Sequence, residues 1–209
     1  MKNEKFEIIY EDENLLVINK PAGINADDIP KRVHRLDKDT SGVLLIAKDD
    51  KTLEFLQKEF QERRVEKKYV ALVVGEIKNN EGIIETLLGR SKNDRRKQKV
   101  YFSHEPGAEG KRKAITKYRV LQKIKNYTLI EIKIETGRKH QIRAHFAYLG
   151  YPIAGDKMYG FKNQPCPKEL KRQFLHASQI EITLPGGERK VFKSKLPEEL
   201  EKILKNLKI

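Results

Sequence analysis

The chain has 209 residues, of which 38% are hydrophobic and 35% charged, so it can bury a core beneath a strongly polar surface. Its 44 Lys and Arg against 30 Asp and Glu give a formal charge of +14, which favours a nucleic-acid partner over a merely solubilising surface. One cysteine excludes an intramolecular disulfide and a cysteine metal cluster, and the lack of a long apolar run argues against a secretory signal or a membrane span, so we expect a cytoplasmic protein.

The first part of the chain alternates strand and helix patterns. Two apolar runs near the N-terminus flank a turn of Asp, Glu and Asn, which is typical of a hairpin. Leu53, Leu56 and Phe60 recur at i, i+3 and i+7 and therefore predict one face of an amphipathic helix. The predicted elements are a hairpin over residues 6–20, a buried strand over 43–47, a helix over 50–64 and a central strand over 69–74.

The rest of the chain is predicted to be rich in strands, with two helices. The sequence pattern places a helix between Thr136, as its N-cap, and Gly150, just past its end. The other predicted elements are a basic loop or solvated hairpin over residues 90–99, long strands over 114–136, a hairpin over 180–192 and a terminal helix over 200–207. Because we see no repeat, low-complexity linker or break in composition, we predict a single domain over residues 1–209.

Residues 34–42, His-Arg-Leu-Asp-Lys-Asp-Thr-Ser-Gly, precede the predicted buried strand directly. A loop that a buried strand holds in place often carries chemistry. Short loops rich in Asp, Thr, Ser and Gly are also common as plain turns, because these side chains bond their own backbone. Taken alone, the segment therefore supports a functional site and a structural turn about equally.

A second polar cluster follows between residues 135 and 160. Its candidate helix carries, around an apolar stripe, the side chains of Arg138, His140, Gln141, Arg143 and His145. Since the two histidines are five positions apart, they do not share a helical face as i, i+4 metal ligands would. A hydrolase built on Ser41 and His34 is also disfavoured, because the sequence has no nucleophile elbow. The pattern instead suggests a carboxylate held by an arginine over an RNA-binding face.

The chain resembles the RluA-type pseudouridine synthases over almost its full length. The motifs that carry the resemblance occur in the expected order at residues 10–23, 34–42, 67–75, 114–118, 136–143, 155–160 and 175–177. The resemblance implies an α+β fold, the pseudouridine synthase catalytic domain, with a long mixed, mainly antiparallel sheet, flanking helices and a central cleft. It also implies isomerisation of uridines in structured ribosomal or transfer RNA, with no cofactor and no metal.

Matched residue by residue, the resemblance makes Asp37 the catalytic aspartate, Tyr69 the active-site tyrosine and Arg143 the basic partner of the aspartate. Arg35 matches an arginine that lies beside the target nucleotide. The carboxylate could attack the sugar, attack the ring, or promote glycosidic cleavage by deprotonating the sugar, and the sequence leaves these routes open. Each route needs an ionised aspartate, a state that a buried arginine favours.

RNA is the expected partner, and no obligate protein partner or oligomer is implied. The predicted RNA contacts are Arg35, Arg138, His140, Gln141, Arg95, Arg96 and Lys97. Many relatives begin with a small S4-like RNA-binding module, which we expect to be absent here because the first motif starts so close to Met1. The alternative to an enzyme is an inactive RNA-binding or RNA-folding module on the same scaffold, and the presence of Asp37, Tyr69 and Arg143 argues against it.

Overall fold

A computed structural model of the protein describes residues 6–207, and its contacts divide the chain into two compact units. Of the described residues, unit 1 comprises 6–69 and 176–197, and unit 2 comprises 70–175 and 198–207. Each unit is therefore built from two separate stretches of sequence. The predicted single domain over residues 1–209 stays a prediction.

Unit 1 contains a mixed sheet and one α-helix. Its complete elements are β1 (Glu7–Glu11), β2 (Leu15–Lys20), β3 (Ser41–Ala47), α1 (Asp50–Gln61) and β10 (Arg189–Lys193). It also contains the first part of β4 (Glu66–Val74), as far as Tyr69, and β9 (Leu175–Thr183) from His176 onward. Successive neighbours in the order β1, β2, β3 pair antiparallel, and β10 pairs antiparallel with β9. In contrast, β3 pairs parallel with β9, through Ser41 and Gly42 opposite His176 and Ala177.

Alternating apolar side chains explain the core of unit 1. Val43, Leu45 and Ala47 lie on one face of β3 and pack in the core with Leu56 of α1, while Leu44 on the opposite face is also fully buried. Leu56 is the fully buried residue of α1, and Leu53 and Phe60 pack beside it, as their spacing predicted. At the start of α1, the Asp49 side chain accepts a hydrogen bond from the Thr52 backbone N–H, which is an N-cap.

Unit 2 contains an antiparallel array of long strands and two helices. Its elements are the remainder of β4, then β5 (Glu81–Arg90), β6 (Gln98–Tyr101), β7 (Arg112–Ile124), β8 (Tyr127–Ile134), α2 (Gln141–Tyr148) and α3 (Glu198–Leu207). Hydrogen bonding gives the strand order β4, β8, β7, β5, β6, and the last four strands pair antiparallel with one another. Helix α2 packs against β6 and β7, where Ala144 joins the buried side chains of Leu88, Val100 and Ala114.

The predicted helix between Thr136 and Gly150 is correct at its end and wrong at its beginning. Gly150 adopts a φ of 81° and its N–H donates to the Ala147 carbonyl, which is the glycine-terminated end that was expected. The helix begins only at Gln141, and its N-cap residue is His140, in the left-handed conformation. Thr136 does not cap the helix, because its hydroxyl already accepts a hydrogen bond from the Ile115 N–H of β7.

The other predicted elements are confirmed, as is the α+β class with a mixed, mainly antiparallel sheet. The basic segment over residues 90–99 contains the connection of the β5–β6 hairpin, residues 91–97, and the strand ends beside it. The terminal helix buries Leu200 and Ile203. Among residues 6–207 there is no helix long and apolar enough to cross a membrane.

Candidate active site

The segment over residues 34–42, hereafter the aspartate loop, is positioned by the residues just before it. Segment 31–34 runs antiparallel beside β3, with Arg32 opposite Ile46 and with the Val33 N–H donating to the Leu45 carbonyl at 2.9 Å. β9 pairs with β3 only at Ser41 and Gly42, and segment 31–34 lies beside the remainder of the strand. The chain must then turn back to enter β3, and the aspartate loop is that turn.

His34 anchors the beginning of the aspartate loop. Its Nε2 accepts a hydrogen bond from the Leu45 backbone N–H at 3.2 Å, and its ring stacks on Phe60 with centroids 4.9 Å apart. Burial, together with the positive charge of Lys67, lowers the pKa of His34 to about 3. The ring is therefore neutral at physiological pH, but its low pKa makes it a weak proton acceptor and its Nε2 is already used by the Leu45 N–H, so His34 is better suited to be a structural anchor than a general base.

The other end of the aspartate loop is anchored to β9. The Ser41 hydroxyl lies 3.0 Å from His176 Nδ1, and His176 Nε2 lies 3.2 Å from the Ser194 carbonyl, to which it can only donate. His176 Nδ1 is therefore the acceptor from Ser41. Gly42 has a φ of 121°, and a Cβ there would lie 2.1 Å from the Ala177 carbonyl oxygen, so the close approach of β9 requires a glycine.

A buried lysine fixes the middle of the aspartate loop. Lys20, at the end of β2, is fully buried, and its ammonium donates to the carbonyls of Pro21, Ile24 and Lys38 at 2.8, 2.9 and 3.1 Å. The Gly23 N–H donates to the same Lys38 carbonyl at 2.9 Å. Because Lys38 follows the predicted catalytic aspartate directly, this ammonium holds the backbone next to the reacting group.

Asp37 and Tyr69 interact within unit 1. Tyr69 is 8% exposed, and burial raises the pKa of its phenol, with the Asp37 carboxylate raising it further. The phenol is thus held neutral beside a carboxylate that is itself only half-buried. A neutral phenol can pack against a uracil ring and donate a hydrogen bond, whereas acting as a base would require it to ionise first.

Arg35 lies at the surface and shares an acid with its neighbour. Its guanidinium is 3.3 Å from the Asp27 carboxylate, which also pairs with Arg32 at 2.7 Å. About half of the Arg35 side chain is exposed, so it is accessible to a polyanion. Its predicted contact with RNA stays a prediction.

In unit 2, the start of the 136–143 motif is a buried hydrogen-bonded turn. The Thr136 hydroxyl accepts from the Ile115 N–H at 2.9 Å and donates to Gln141 Oε1 at 2.8 Å. Gln141 Oε1 also accepts from the Arg138 N–H, while Gln141 Nε2 donates to the Ile115 carbonyl and the Thr116 hydroxyl, each at 3.0 Å. Gln141 is 3% exposed and its amide is fully used. Gln141 therefore has a structural role, and its predicted contact with RNA stays a prediction, as does that of the half-buried Arg138.

Arg143 is held by a buried carboxylate of its own unit. Its Nε and Nη2 donate to the two carboxylate oxygens of Asp156 at 2.7 and 2.9 Å, a bidentate pair in which both side chains are almost fully buried. Burial alone would raise the pKa of Asp156, but Arg143 and the backbone N–H groups of Tyr159 and Met158 outweigh it and lower that pKa. Asp156 lies in the motif over residues 155–160, but the sequence predicted no role for it. The pairing of Arg143 with Asp37 stays a prediction.

Tyr159 connects Arg143 to the basic turn, which we define as residues 91–97. The guanidinium of Arg143 lies 5.0 Å from the centre of the Tyr159 ring. The Tyr159 hydroxyl accepts from the Gln98 backbone N–H at 2.6 Å and lies 3.0 Å from His140 Nδ1. His140 thus has a defined structural contact, and its predicted role at RNA is untested.

His145 is a second buried neutral histidine. It is fully buried, with its ring nitrogens 2.9 Å from the Thr116 hydroxyl and 3.0 Å from the Thr86 hydroxyl, and burial lowers its pKa to about 4. A histidine held neutral in the fold stabilises it above the unfolded-state pKa of about 6.5, and that contribution is lost as the pH falls through the lower folded-state pKa.

We therefore expect the free energy of unfolding to fall between about pH 6.5 and about pH 4, and we expect His145→Gln to lose less stability over that range. Urea unfolding of both proteins at neutral pH and at about pH 4.5 measures the difference. Parallel pH dependence in the two proteins would show that His145 is not the group responsible, leaving His34 and the carboxylates as candidates.

The comparison with known proteins decides the family. A sequence profile described as RNA pseudouridylate synthase matches residues 25–148, more than half of the chain. The chain belongs to the RNA pseudouridylate synthase family. The matched region of the synthase includes Asp37, Tyr69 and Arg143, and the resemblance noted in the motifs is confirmed.

Curated relatives match the synthase over nearly its whole length. An uncharacterized RNA pseudouridine synthase of Bacillus subtilis, YlyB, is 36% identical over 97% of this chain and 73% of its own. The ribosomal large subunit pseudouridine synthase D of Borreliella burgdorferi is 37% identical over 98% of this chain and 69% of its own.

Solved structures show the same fold. Human RNA pseudouridylate synthase domain containing 4 is 26% identical with a TM-score of 0.81, and the match covers 96% of this chain and 92% of that one. Human RNA pseudouridylate synthase domain containing 1 has the same identity and TM-score, with 99% and 96% covered. The synthase is therefore an isomerase that acts on RNA.

Proposed function

We propose that this synthase isomerises uridines in structured RNA of the large ribosomal subunit, with Asp37 as the catalytic carboxylate. Relatives from several bacteria carry the name ribosomal large subunit pseudouridine synthase D, which supports ribosomal over transfer RNA. In the reaction the N1–C1′ bond breaks, C5 bonds to C1′, C5 loses its proton and N1 gains one. Electrons and atoms balance without any external reactant.

The observation that carries the proposal is the firm support of the aspartate loop, which holds a half-buried Asp37 in the same unit as the buried phenol of Tyr69. A plain surface turn would need neither a buried ammonium nor a buried histidine to hold it. Fixed supports surround the pair: the His34 ring, the Lys20 ammonium and the Ser41–His176 bond hold the aspartate loop at its beginning, middle and end. Such support is what a reacting group needs to stay in register with a substrate.

Tyr69 then serves as a packing surface for the base. A neutral phenol beside the carboxylate can hold the freed uracil while it turns, and can keep bulk water from the sugar carbon. Because its pKa is raised, Tyr69 is a poor proton acceptor in the resting enzyme, so removal of the C5 proton requires a second acceptor or ionisation during the reaction.

In this proposal Arg143 is the basic residue that assists the reaction. Its orientation is already set by Asp156, so it can hold a group of the RNA without losing rotamer freedom at that moment. A pre-oriented guanidinium stabilises negative charge better than a flexible lysine does.

The basic turn is the proposed phosphate contact. On the strands of unit 2, many exposed cations are already neutralised by glutamates across the sheet: Lys113–Glu85, Lys117–Glu135, Arg119–Glu131 and Lys123–Glu76. In the basic turn, Asp94 pairs with Arg96 and its pKa falls to about 2 as a result, which leaves Lys92, Arg95 and Lys97 in excess. The turn is therefore a stronger candidate for phosphate binding than the strands.

Replacing Arg95, Arg96 and Lys97 by alanine is expected to weaken RNA binding and to flatten the slope of log affinity against log salt by roughly two units. Turnover at saturating RNA is expected to change little, because these residues position the RNA and do not react. Replacing Lys113, Lys117 and Lys123 by alanine is the matched control on the paired strands. An equal change of slope in both variants would contradict a specific role for the turn.

Substrate class is tested with transcripts that carry tritium at C5 of uridine. Large-subunit ribosomal RNA is expected to release tritium, because isomerisation removes the C5 hydrogen, and transfer RNA is expected to release none. Release from transfer RNA alone would overturn the ribosomal assignment. Tight binding of ribosomal RNA with no release from any transcript would support the inactive RNA-binding module. The cytoplasmic location, the monomeric state and independence of metal stay predictions.

A further inference from the structure

Tyr159 lies where three parts of unit 2 meet. Its ring supports the Arg143 guanidinium, its hydroxyl is bonded to the Gln98 N–H and to His140, and its own N–H donates to Asp156 at 3.0 Å. The same carboxylate oxygen of Asp156 receives Arg143. The tyrosine is therefore fixed on the arginine side through both its ring and its backbone.

On the other side, the tyrosine hydroxyl holds the first residue after the basic turn. The turn is closed by its own hydrogen bonds, from the Ser91 N–H to the Lys97 carbonyl at 3.0 Å and from the Lys97 N–H to the Asp94 carbonyl at 2.9 Å. These bonds close the turn on itself, so its position depends on where its ends are held. Lys97 Nζ also lies 6.0 Å from the centre of the Tyr159 ring. The short bond from Gln98 to Tyr159 fixes the end of this turn relative to Arg143.

We infer that Tyr159 is a positioning residue. It sets the position of the phosphates bound by the basic turn relative to the nucleotide that lies at Arg143. The inference rests on the proposed function, since it needs an RNA that contacts both places. A relative position held by one hydroxyl matters because a displacement of about 1 Å at a reacting centre can cost up to about a hundredfold in rate.

The test replaces Tyr159 by phenylalanine, which keeps the ring under Arg143 and removes only the hydroxyl. We expect kcat to fall by about tenfold or more while the affinity for RNA and its salt dependence stay close to wild type. Tyr101→Phe is the matched control, because it removes a hydroxyl bond from β6 to the Arg90 carbonyl in the same hairpin. This control is expected to keep kcat within about twofold of wild type.

The decisive comparison repeats Tyr159→Phe in the protein whose turn carries Arg95→Ala, Arg96→Ala and Lys97→Ala. A displaced basic turn can lower turnover only if the turn binds phosphates. In the background that lacks these three cations, Tyr159→Phe is therefore expected to change kcat less than about twofold. Equal losses in both backgrounds would mean that Tyr159 acts on Arg143 directly, and no loss in either would mean that it does not set this relative position. Both results overturn the inference.

Hydrogen exchange at the Gln98 amide tests the same link without activity. Tyr159→Phe is expected to speed exchange of this amide and of the basic turn, and Tyr101→Phe is expected to leave the Gln98 amide protected. Unchanged exchange in Tyr159→Phe would overturn the inference even in an active enzyme. A wild type inactive on every RNA would instead overturn the proposed function, so the two failures are distinguishable.

Discussion

Replacing Asp37 by asparagine is expected to lower turnover by at least ~10³ while RNA binding stays close to wild type. The substitution keeps the shape of the side chain and removes the charge that every proposed route requires. The fold should tolerate it, because the aspartate loop is held by His34, Lys20 and Ser41 and not by the carboxylate of Asp37 alone. Tritium release from ribosomal RNA and filter binding of the same RNA measure the two effects.

Asp39→Asn is the matched control for that experiment. It removes the same charge from the same loop, two positions further on, at an exposed residue. Turnover within about tenfold of wild type is expected for this variant. If Asp37→Asn kept comparable activity, or if Asp39→Asn lost as much, the assignment of the catalytic carboxylate would be wrong.

The largest expected effect on stability is that of Asp156→Ala. Removing one member of a buried ion pair leaves the other charge uncompensated and costs about 3–5 kcal/mol in the free energy of unfolding. Arg143 would lose both of its bonds to Asp156, so its orientation and the turnover should be lost as well. Urea unfolding and tritium release are the measurements.

Two further variants test whether the stability lost in Asp156→Ala comes from an unpaired buried charge. Glu85→Ala breaks the exposed pair with Lys113 and should cost no more than about 1 kcal/mol. Asp156→Ala combined with Arg143→Met removes both charges, and we expect it to recover much of the stability but none of the activity. A double variant as unstable as Asp156→Ala alone would contradict the idea that an unpaired buried charge causes the loss.

The same pair gives a direction for acid unfolding. Because Arg143 holds the pKa of Asp156 below that of an unfolded carboxyl, about 3.9, the pair stabilises the fold at neutral pH. Its contribution is lost as the pH falls below about 3.9 and through the lower folded-state pKa. It should therefore disappear at lower pH than the contribution of neutral His145.

Local patterns were sufficient to predict most of the secondary structure. The alternation of Ile130, Ile132 and Ile134 and the spacing of Leu53, Leu56 and Phe60 reflect which face is buried, and the structure buries those faces. The beginning of α2 could not be predicted in this way. Thr136 has the side chain of an N-cap, but its hydroxyl bonds Ile115, which is distant in sequence and adjacent only because β7 and β8 pair.

The candidate site shows the same division. The motifs identified Asp37, Tyr69 and Arg143 because short, unusual combinations of polar residues carry them. The sequence did not indicate the support provided by Lys20, Asp156 and Tyr159, although all three lie within the family motifs. A lysine or an aspartate that is fully buried looks identical in sequence to one in solvent, and only the paired strands and turns bring its partners within reach.

The central claim, that this chain makes pseudouridine in RNA through Asp37, is tested most directly by mapping pseudouridines in cells that lack its gene. Ribosomal and transfer RNA would be compared among cells with no copy, with the wild-type chain and with Asp37→Asn at equal protein levels. We predict that one or more pseudouridines in large-subunit ribosomal RNA are absent without the gene, return with the wild type and stay absent with Asp37→Asn. An unchanged pseudouridine map without the gene, or a map restored by Asp37→Asn, would contradict the account.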